Sequence, residues 1–358
     1  MIDRPGSVAS PTDRRLAGHN VTAIVVTYRS GTTIGACLRR LEDALDPHSS
    51  EVIVVDNASD DDTSAVVRTH PRAQLVCRET NAGFGSAVND GLRRARMPYA
   101  LVMNDDAEVD GACVARLVAA LAPNPDVGLV GPLVVDADDK AVASASGFFP
   151  GWDEERDRFG RGTRRLVRLV LPRLAPPAQP GNPAITGEEQ DVSWLVGVAL
   201  LGRSDVLRRL GGFNEAFFLY GEEIDLCRRA AAAGLRNVWV PAAKCGHIGG
   251  GTTSHIWSRR ERVRRRFRGQ TTYDRIWLPR RTRIPLNLLR ATARSDQPLR
   301  ATHHLREALG GDLELSGLRR VPPLEPVWRT QAALDGPPGP GDAAALPRLG
   351  PFERRVAP

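Results

Sequence analysis

Residues 21–26 read VTAIVV, a run rich in β-branched residues in which Thr22 alone is polar, which is typical of a strand buried on both faces. Further runs of this kind predict strands at 51–55, 74–78, 99–103 and 127–130. The segments between them carry apolar residues at helical spacing, for example Ile34, Cys37, Leu38 and Leu41. Alternating β and α units predict an α/β fold with a mostly parallel central sheet and helices on both faces.

Polar residues stand where these predicted strands end. Thr27 and Tyr28 follow the first strand, Asp56 follows the second, and Asn104-Asp105-Asp106 follows the fourth. Ligands of such sheets bind beyond the carboxyl ends of the strands. We therefore expect a binding site at this edge.

Composition excludes several classes of protein. Hydrophobic residues make up 42% of the 358, which is ordinary for a globular protein. No apolar run approaches the ~20 residues needed to cross a bilayer, and residues 1–20 lack the apolar core of a signal peptide, so a cytoplasmic protein is expected. The five cysteines form no CxxC pair, which predicts reduced thiols, mostly in the core, and no structural zinc.

The net charge of +7 belongs to one segment. Between Arg259 and Arg283, eleven arginines face two acids, a local balance of +9, so the remaining residues sum to −2. This distribution argues against nucleic-acid binding. The segment suits either an anionic membrane surface, at about 1 kcal/mol per basic residue, or a solvated helix packed on the domain. Flotation with and without anionic liposomes distinguishes the two.

The acids of Asn104-Asp105-Asp106 have two interpretations. Carboxylates at a strand end suit Mg²⁺ or Mn²⁺, which are usually held by one or two carboxylates together with substrate phosphates. Alternatively, these residues form a solvated turn, in which Asn and Asp are both common.

A second acidic cluster opens a helix predicted over 222–233. At 100° per residue, Glu223 shares the small apolar stripe of Cys227 and Ala230, whereas Asp225 points the opposite way, where a solvated Asp–Arg pair is expected. Glu222 lies at the border. A carboxylate that heads a buried stripe is costly without a partner or a task, which singles out Glu223. His247, among glycines, is either structural or close to a bulky anion.

Other nucleotide and hydrolase motifs are absent from the sequence. The turn after the first strand lacks GxGxxG spacing, and neither a GxxxxGK[ST] loop nor a GxSxG turn occurs.

Together these segments resemble the family 2 inverting glycosyltransferases of GT-A fold, and within the family the bacterial rhamnosyltransferase-like members, over about residues 21–253. The motifs are specific through their order and spacing: Ile24-Val25-Val26-Thr27-Tyr28, Val54-Val55-Asp56-Asn57-Ala58-Ser59, Asn81-Ala82-Gly83-Phe84-Gly85, Met103-Asn104-Asp105-Asp106, Trp194-Leu195-Val196-Gly197, Gly211-Gly212-Phe213-Asn214-Glu215, Phe218-Leu219-Tyr220-Gly221-Glu222-Glu223-Ile224-Asp225-Leu226 and His247-Ile248-Gly249-Gly250-Gly251.

The resemblance implies a nucleotide site and a metal. Base and ribose contacts are expected from Thr27, Tyr28, Asp56 and Asn81, and a ribose or metal-water contact from Asp105. A divalent Mg²⁺ or Mn²⁺ is expected at Asp106 and His247.

It also implies a catalytic pocket, in which Glu223 is the general base. The donor-sugar and acceptor pocket is expected to include Trp194, Gly197 and Glu222. Two positions depart from the family: Asn104 replaces the first acid of a DxD motif, and Glu223 stands where Asp is more usual. The longer side chain shifts the carboxylate by about one ångström, which alters where an acceptor hydroxyl must lie.

The implied organisation has five segments. A flexible tail is expected over 1–19, a nucleotide-sugar-binding half over 20–143 and an acceptor-binding, catalytic half over 144–256. A basic helical extension follows over 257–333, and a disordered Pro/Gly-rich tail over 334–358.

The implied reaction moves a sugar, rhamnose or another deoxysugar, from a nucleoside diphosphate to a hydroxyl of a glycan, lipid-linked saccharide or small molecule. Two alternatives remain at this point. A sugar nucleotidylyltransferase would need a Gly-rich, basic phosphate loop, for which Ser30-Gly31-Thr32 is a poor substitute. A non-catalytic glycan-binding protein would not need Asp106, Glu223 and His247 together.

Overall fold

The computed structural model describes residues 20–151, 183, 185–247, 256–293, 302 and 304. Its strands are β1 Val21–Thr27, β2 Glu51–Asp56, β3 Ala73–Cys77, β4 Tyr99–Asn104, β5 Ala107–Val109, β6 Val127–Val135, β7 Ala145–Ser146, β8 Gln190–Val192, β9 Trp194–Leu195, β10 Ala199–Arg203 and β11 Arg236–His247. Its helices are α1 Ile34–Ala44, α2 Thr63–Arg68, α3 Phe84–Arg94, α4 Gly111–Leu121, α5 Ser204–Arg209, α6 Glu222–Ala232, α7 Arg259–Trp277 and α8 Arg280–Ala293.

Nine strands form one sheet, in the order β3-β2-β1-β4-β10-β6-β11-β5, with β8 also paired to β11. The central β1 runs parallel to both neighbours, so that Val25 pairs with Val54 on β2 and with Met103 on β4. β10 runs antiparallel to β4 and β6, and β5 and β8 run antiparallel to β11. The predicted α/β fold is confirmed; the sheet is mixed, with β1, β2, β3, β4, β6 and β11 running in one direction and β5, β8 and β10 in the other.

Each face of the sheet carries its own hydrophobic core. Side chains of β1 alternate between them: Ala23 and Val25 pack on one side, and Ile24 and Val26 on the other. The first core is covered by α1, α2 and α4, and the second by α3, α5 and α6. Burial on both faces explains why β1 carries apolar residues on both of them.

The arginine-rich segment forms α7, which begins with an N-cap at Ser258. The Ser258 hydroxyl accepts a hydrogen bond from the Glu261 backbone N–H at 3.2 Å, and Glu261 pairs with Arg265 at 3.1 Å. At its other end, buried Asp274 pairs with fully buried Arg290 of α8 at 2.6 Å. The two helices are thereby tied together.

The sequence also makes predictions about the cysteines, membrane-spanning helices and the two tails of the chain. Cys37, Cys113, Cys227 and Cys245 are buried free thiols and Cys77 is an exposed one, as predicted for a mostly buried set. None of the helices in the described ranges combines the length and the hydrophobicity that a bilayer-spanning helix requires. The tails predicted over 1–19 and 334–358, and most of the irregular stretch over 144–191, lie outside the described residues. The segment boundaries stay predictions.

Candidate active site

One cleft of about 830 Å³ opens at the carboxyl ends of β1, β2 and β4. Of the eleven predicted site residues, the cleft is lined by ten: Thr27, Tyr28, Asn81, Asp105, Asp106, Trp194, Gly197, Glu222, Glu223 and His247. Residues that are up to 220 positions apart in the chain therefore meet at one surface. The parallel register explains Thr27, Tyr28, Asp105 and Asp106, since strands β1 and β4 end at the same edge.

The predicted nucleotide end of the cleft is organised by amide hydrogen bonds. Asn57 donates to the Asn81 side-chain oxygen at 2.9 Å and to the Gly83 carbonyl at 3.1 Å. Asn57 also accepts a hydrogen bond from Arg78 at 2.9 Å, which fixes its orientation. The Thr27 hydroxyl is buried and has no hydrogen-bond partner within the described part of the chain. A buried hydroxyl facing a cleft is a ready contact for a polar ligand.

Asp56 is the predicted site residue that does not line the cleft. Its carboxylate accepts hydrogen bonds from the Ser59 N–H at 3.0 Å and from the Ser64 hydroxyl. The next residue, Asn57, faces the cleft instead. The Asp56 carboxylate thus holds the turn after β2, and its expected contact with the base or ribose stays a prediction.

The acidic end of the cleft joins two strands. Asp106 lies in the turn between β4 and β5, and the backbone of His247 pairs with Ala107 of β5. This register brings His247 Nε2 within 3.2 Å of Asp106 Oδ1, although 141 positions separate them in the chain. Asp105 and Asp106 are 4% and 6% exposed, so their oxygens are held inside the cleft.

These donors fit a divalent cation that is completed by substrate. Carboxylate oxygen and imidazole nitrogen are both ligands of Mn²⁺, and Mg²⁺ prefers the oxygens. Among the described residues, no group of three or more His, Cys, Asp or Glu side chains forms a complete metal cage. The remaining ligands would come from substrate phosphates and water, which is how such cations are usually bound beside nucleotides.

Glu222 and Glu223 start α6 at the bottom of the cleft. Glu223 Oε2 accepts a hydrogen bond from the Gly221 N–H at 3.0 Å, and Gly197 packs against its side chain. Burial raises the pKa of Glu223, while backbone N–H groups at the helix start oppose that rise. A carboxylate with a raised pKa is a stronger base, provided that it is ionised.

Glu222 is more deeply enclosed. It is 5% exposed, and its Oε2 has no hydrogen-bond partner in the described part of the protein. Burial, and secondly the charge of Glu223, raise the pKa of Glu222 well above its ordinary value. The two neighbouring acids are therefore in different protonation environments.

The prediction that Asp225 is solvated is wrong. Asp225 is fully buried; it accepts hydrogen bonds from Arg229 at 2.8 Å and from the Trp277 indole of α7 at 2.8 Å. The inward stripe of Cys227 and Ala230 is confirmed, because both are fully buried. The opposite side of α6 is covered by α7. Helical periodicity within α6 does not indicate that another helix packs there.

Comparisons with known proteins agree with this arrangement. Residues 22–173 match glycosyl transferase family 2, and residues 183–305 match glycosyl transferase family group 2. The chain is 30% identical over 244 residues to the N-acetylglucosaminyl-diphospho-decaprenol L-rhamnosyltransferase of Mycobacterium tuberculosis, covering 63% of this chain and 74% of that protein. The chain belongs to glycosyl transferase family 2.

Two further similarities support the family and the fold. Over 95 residues, 24% of this chain and 36% of the relative, the chain is 32% identical to the rhamnosyltransferase WbbL of Escherichia coli. A mannosyltransferase from Pyrobaculum calidifontis, solved with GDP-mannose and Mn²⁺, has a TM-score of 0.50 and 22% identity; the match covers 88% of this chain and 80% of that one. The predicted GT-A fold and rhamnosyltransferase-like resemblance are confirmed.

The glycosyltransferase assignment sets aside the nucleotidylyltransferase and the non-catalytic binding protein. Within this family 2 glycosyltransferase, the match over 183–305 also extends past the predicted limit near residue 253 and runs through α7 and α8. The C-terminal extension, at least as far as α8, is part of the region with family similarity.

Sequence reasoning missed the contribution of α7 to the cleft. Arg262, Arg266, Gly269, Gln270 and Tyr273 of this helix are lining residues. Their spacing by four, three, one and three positions puts them on one helical face, so the signal was present. It was hidden because eleven arginines in the segment dominate any periodicity.

The predicted sugar pocket of this glycosyltransferase also depends on Phe148, a residue outside the motif that contains Trp194. The Trp194 indole donates to the Phe148 carbonyl at 3.0 Å, so β9 is held to the segment that follows β7. Trp194 thereby presents an aromatic surface to the cleft.

Proposed function

We propose that this glycosyltransferase transfers rhamnose or another deoxysugar from a nucleoside diphosphate to an acceptor hydroxyl, with inversion at the anomeric carbon. The observation that carries the proposal is the presence of Asp106 and Glu223 in one cleft. Departure of a diphosphate and deprotonation of an alcohol must occur together, and each needs its own polar group.

The donor side is supported by the residues at the strand ends. Thr27, Tyr28, Asn81 and Asp105 would bind the nucleotide, and the unpartnered Thr27 hydroxyl supplies a buried polar atom for it. Asp106 and His247 would hold Mg²⁺ or Mn²⁺ together with the donor diphosphate. When bound, such a cation offsets the negative charge that develops on the departing nucleoside diphosphate.

The acceptor side is supported by the start of α6. Glu223 would accept the proton of the attacking hydroxyl, and the hydrogen bond from the Gly221 N–H holds its carboxylate in place. Gly197 leaves room beside Glu223, since an added Cβ would lie 3.4 Å from the Glu223 Cβ. A single base and a single in-line attack invert the anomeric centre.

The acceptor class follows from the relatives. The mycobacterial protein is named for transfer to N-acetylglucosaminyl-diphospho-decaprenol. By similarity, we propose a lipid-linked saccharide as acceptor here, ahead of a free glycan or small molecule. A cytoplasmic location with peripheral contact to an anionic membrane is a further proposal; the exposed arginines of α7, among them Arg259, Arg260, Arg264 and Arg268, suit it.

The proposal is tested by transfer from a panel of nucleoside diphosphate sugars, deoxysugars included, onto N-acetylglucosaminyl acceptors with Mn²⁺. We expect a product whose anomeric configuration, measured by NMR, is opposite to that of the donor. Chelation by EDTA is expected to stop transfer, and Mg²⁺ or Mn²⁺ to restore it. Retained configuration, or full turnover in EDTA, would contradict the proposed mechanism.

The metal site has a matched pair of variants. Asp106→Asn should abolish the Mn²⁺-dependent rise in melting temperature that a bound nucleotide produces by mass action. Glu108→Gln, which removes an acid two residues away that lies outside the cleft, should preserve it. Equal loss in both variants would remove Asp106 as a specific ligand.

A further inference from the structure

One face of α7 supplies the positive charge of the cleft. Of the seven arginines between Arg259 and Arg268, only Arg262 and Arg266 line it. They are four positions apart and continue into the cleft-lining Gly269, Gln270 and Tyr273, so they point the same way from one rigid helix. These two arginines are therefore distinguished by position from the rest of the basic segment.

The helix is seated firmly enough to orient them. At Gly269, an added Cβ would collide with the backbone carbonyl of Tyr220, so α7 lies directly against the segment that leads into Glu223. The Arg266 guanidinium stacks over the Tyr220 ring, 5.2 Å from its centre. Arg262 donates to the Trp257 carbonyl at 2.8 Å. Both side chains therefore approach the cleft from the wall that carries the proposed base.

The neighbouring arginines have other partners. Arg265 pairs with Glu261 and stacks on Phe218 and Trp257. Arg266, in contrast, forms no ion pair with any carboxylate in the described ranges, although it stands at the rim of a cleft that contains four acids. A cation that is left unneutralised beside an acidic cleft is suited to an incoming anion.

The chemistry of that anion follows from the guanidinium groups. Arginine presents a planar fork of donors that matches the oxygens of a phosphate, and two arginines on adjacent helical turns can hold one diphosphate. A neutral sugar offers no such charge. Without Arg262 and Arg266, the acids of the cleft would repel an acceptor that carries phosphate.

We propose that Arg262 and Arg266 bind a phosphate group of the acceptor, so that the acceptor is a glycosyl phosphate or diphosphate and not a neutral glycan. This inference rests on the proposed function, because it assumes that the acceptor hydroxyl is presented to Glu223. The donor diphosphate is assigned to Asp106 and His247, which lie on β-strand ends and turns at the other wall. The two proposed phosphate-binding groups thus stand on different elements, one on the strand ends and the other on α7.

The experiment measures KM for three acceptors: N-acetylglucosamine 1-phosphate, its farnesyl diphosphate ester and its neutral octyl glycoside. Arg262→Gln and Arg266→Gln should each raise KM for the phosphorylated acceptors about tenfold, since a hydrogen bond to a charged group is lost. Little change is expected for the neutral glycoside or for the donor. Arg268→Gln, an exposed arginine of the same helix outside the cleft, is the matched control.

Each outcome has one meaning. A rise for both phosphorylated acceptors supports recognition of phosphate itself, and a rise for the farnesyl ester alone supports a lipid diphosphate. Unchanged acceptor KM, an equal rise for the octyl glycoside, an equal effect of Arg268→Gln, or a rise in donor KM instead would overturn the proposal. Absence of metal-dependent donor turnover in the unmodified enzyme would instead refute the proposed function. Melting temperatures of the variants, expected to match the control, show that folding is preserved.

Discussion

The cleft has two walls that hold their polar groups by different means. The sheet wall consists of residues at strand ends and their turns, represented by Thr27, Asn57 and Asp106; the helix wall consists of the start of α6 and the inner face of α7. On the sheet wall, backbone register alone brings the ends of β1 and β4 together. On the helix wall, positions depend on side chains that clamp one helix onto another.

The clamp on the helix wall is aromatic and charged. The Arg228 guanidinium of α6 lies 4.8 Å from the Trp277 ring centre and also contacts the rings of Phe149 and Tyr273. Buried Asp225 completes it through the Trp277 indole. Backbone register places the polar groups of the sheet wall, whereas α7 must dock before Arg262 and Arg266 reach the cleft.

The largest effect is expected for Glu223, the proposed general base, which lies on the helix wall. Glu223→Gln keeps the shape but removes the proton acceptor, so transfer should fall by about 10²–10⁴-fold. Nucleotide affinity, measured by calorimetry with Mn²⁺, should be unchanged because the proposed nucleotide contacts lie on the sheet wall. Glu188→Gln, an exposed acid outside the cleft, controls for the loss of one charge. Full turnover by Glu223→Gln would exclude Glu223 as the base.

The next effect tests the clamp against a surface pair of the same spacing. Asp225→Ala leaves Arg229 and Trp277 without their acceptor and should lower the free energy of unfolding in urea by about 3 kcal/mol. Asp205→Ala breaks the exposed i,i+4 pair with Arg209 and should cost about 0.5 kcal/mol. Equal losses would mean that α7 does not depend on the clamp.

The smallest effect is expected for Glu222, the buried neighbour of the proposed base Glu223. The pKa of Glu222 is raised in the folded protein, so folding favours its protonated form. The stability that this gives is complete below the ordinary glutamate pKa of 4.5, and it is lost as pH rises from there through the pKa of Glu222 in the folded protein. Glu222→Gln mimics the protonated form. It should therefore be more stable than the unmodified protein at high pH and equally stable below pH 4.5, as measured by thermal unfolding across pH.

A contrary result for Glu222→Gln would be informative. If the variant were less stable at every pH, Glu222 would be ionised and held by a favourable contact, and a raised pKa of Glu222 in the folded protein would be wrong.

Much of the sheet wall was predictable. The apolar run of β1 indicated a strand covered on both faces, and both of its cores are present. Thr27, Asp105 and Asp106 lie at the predicted edge because parallel strands align their carboxyl ends. The hydrogen bonds that Asp56 accepts from Ser59 and Ser64 were beyond such reasoning, since they depend on how the turn after β2 folds back on the strand end.

The sequence by itself determined the order of strands and helices, the family motifs and the inward stripe of α6. These depend on periodicity and on local backbone geometry, which a linear pattern records. Only the tertiary structure decided that Asp225 is buried, that His247 meets Asp106, and that Arg262 and Arg266 enter the cleft. Each is a contact between elements far apart in the chain, and its energy depends on desolvation and packing, which exist only once the helices have docked.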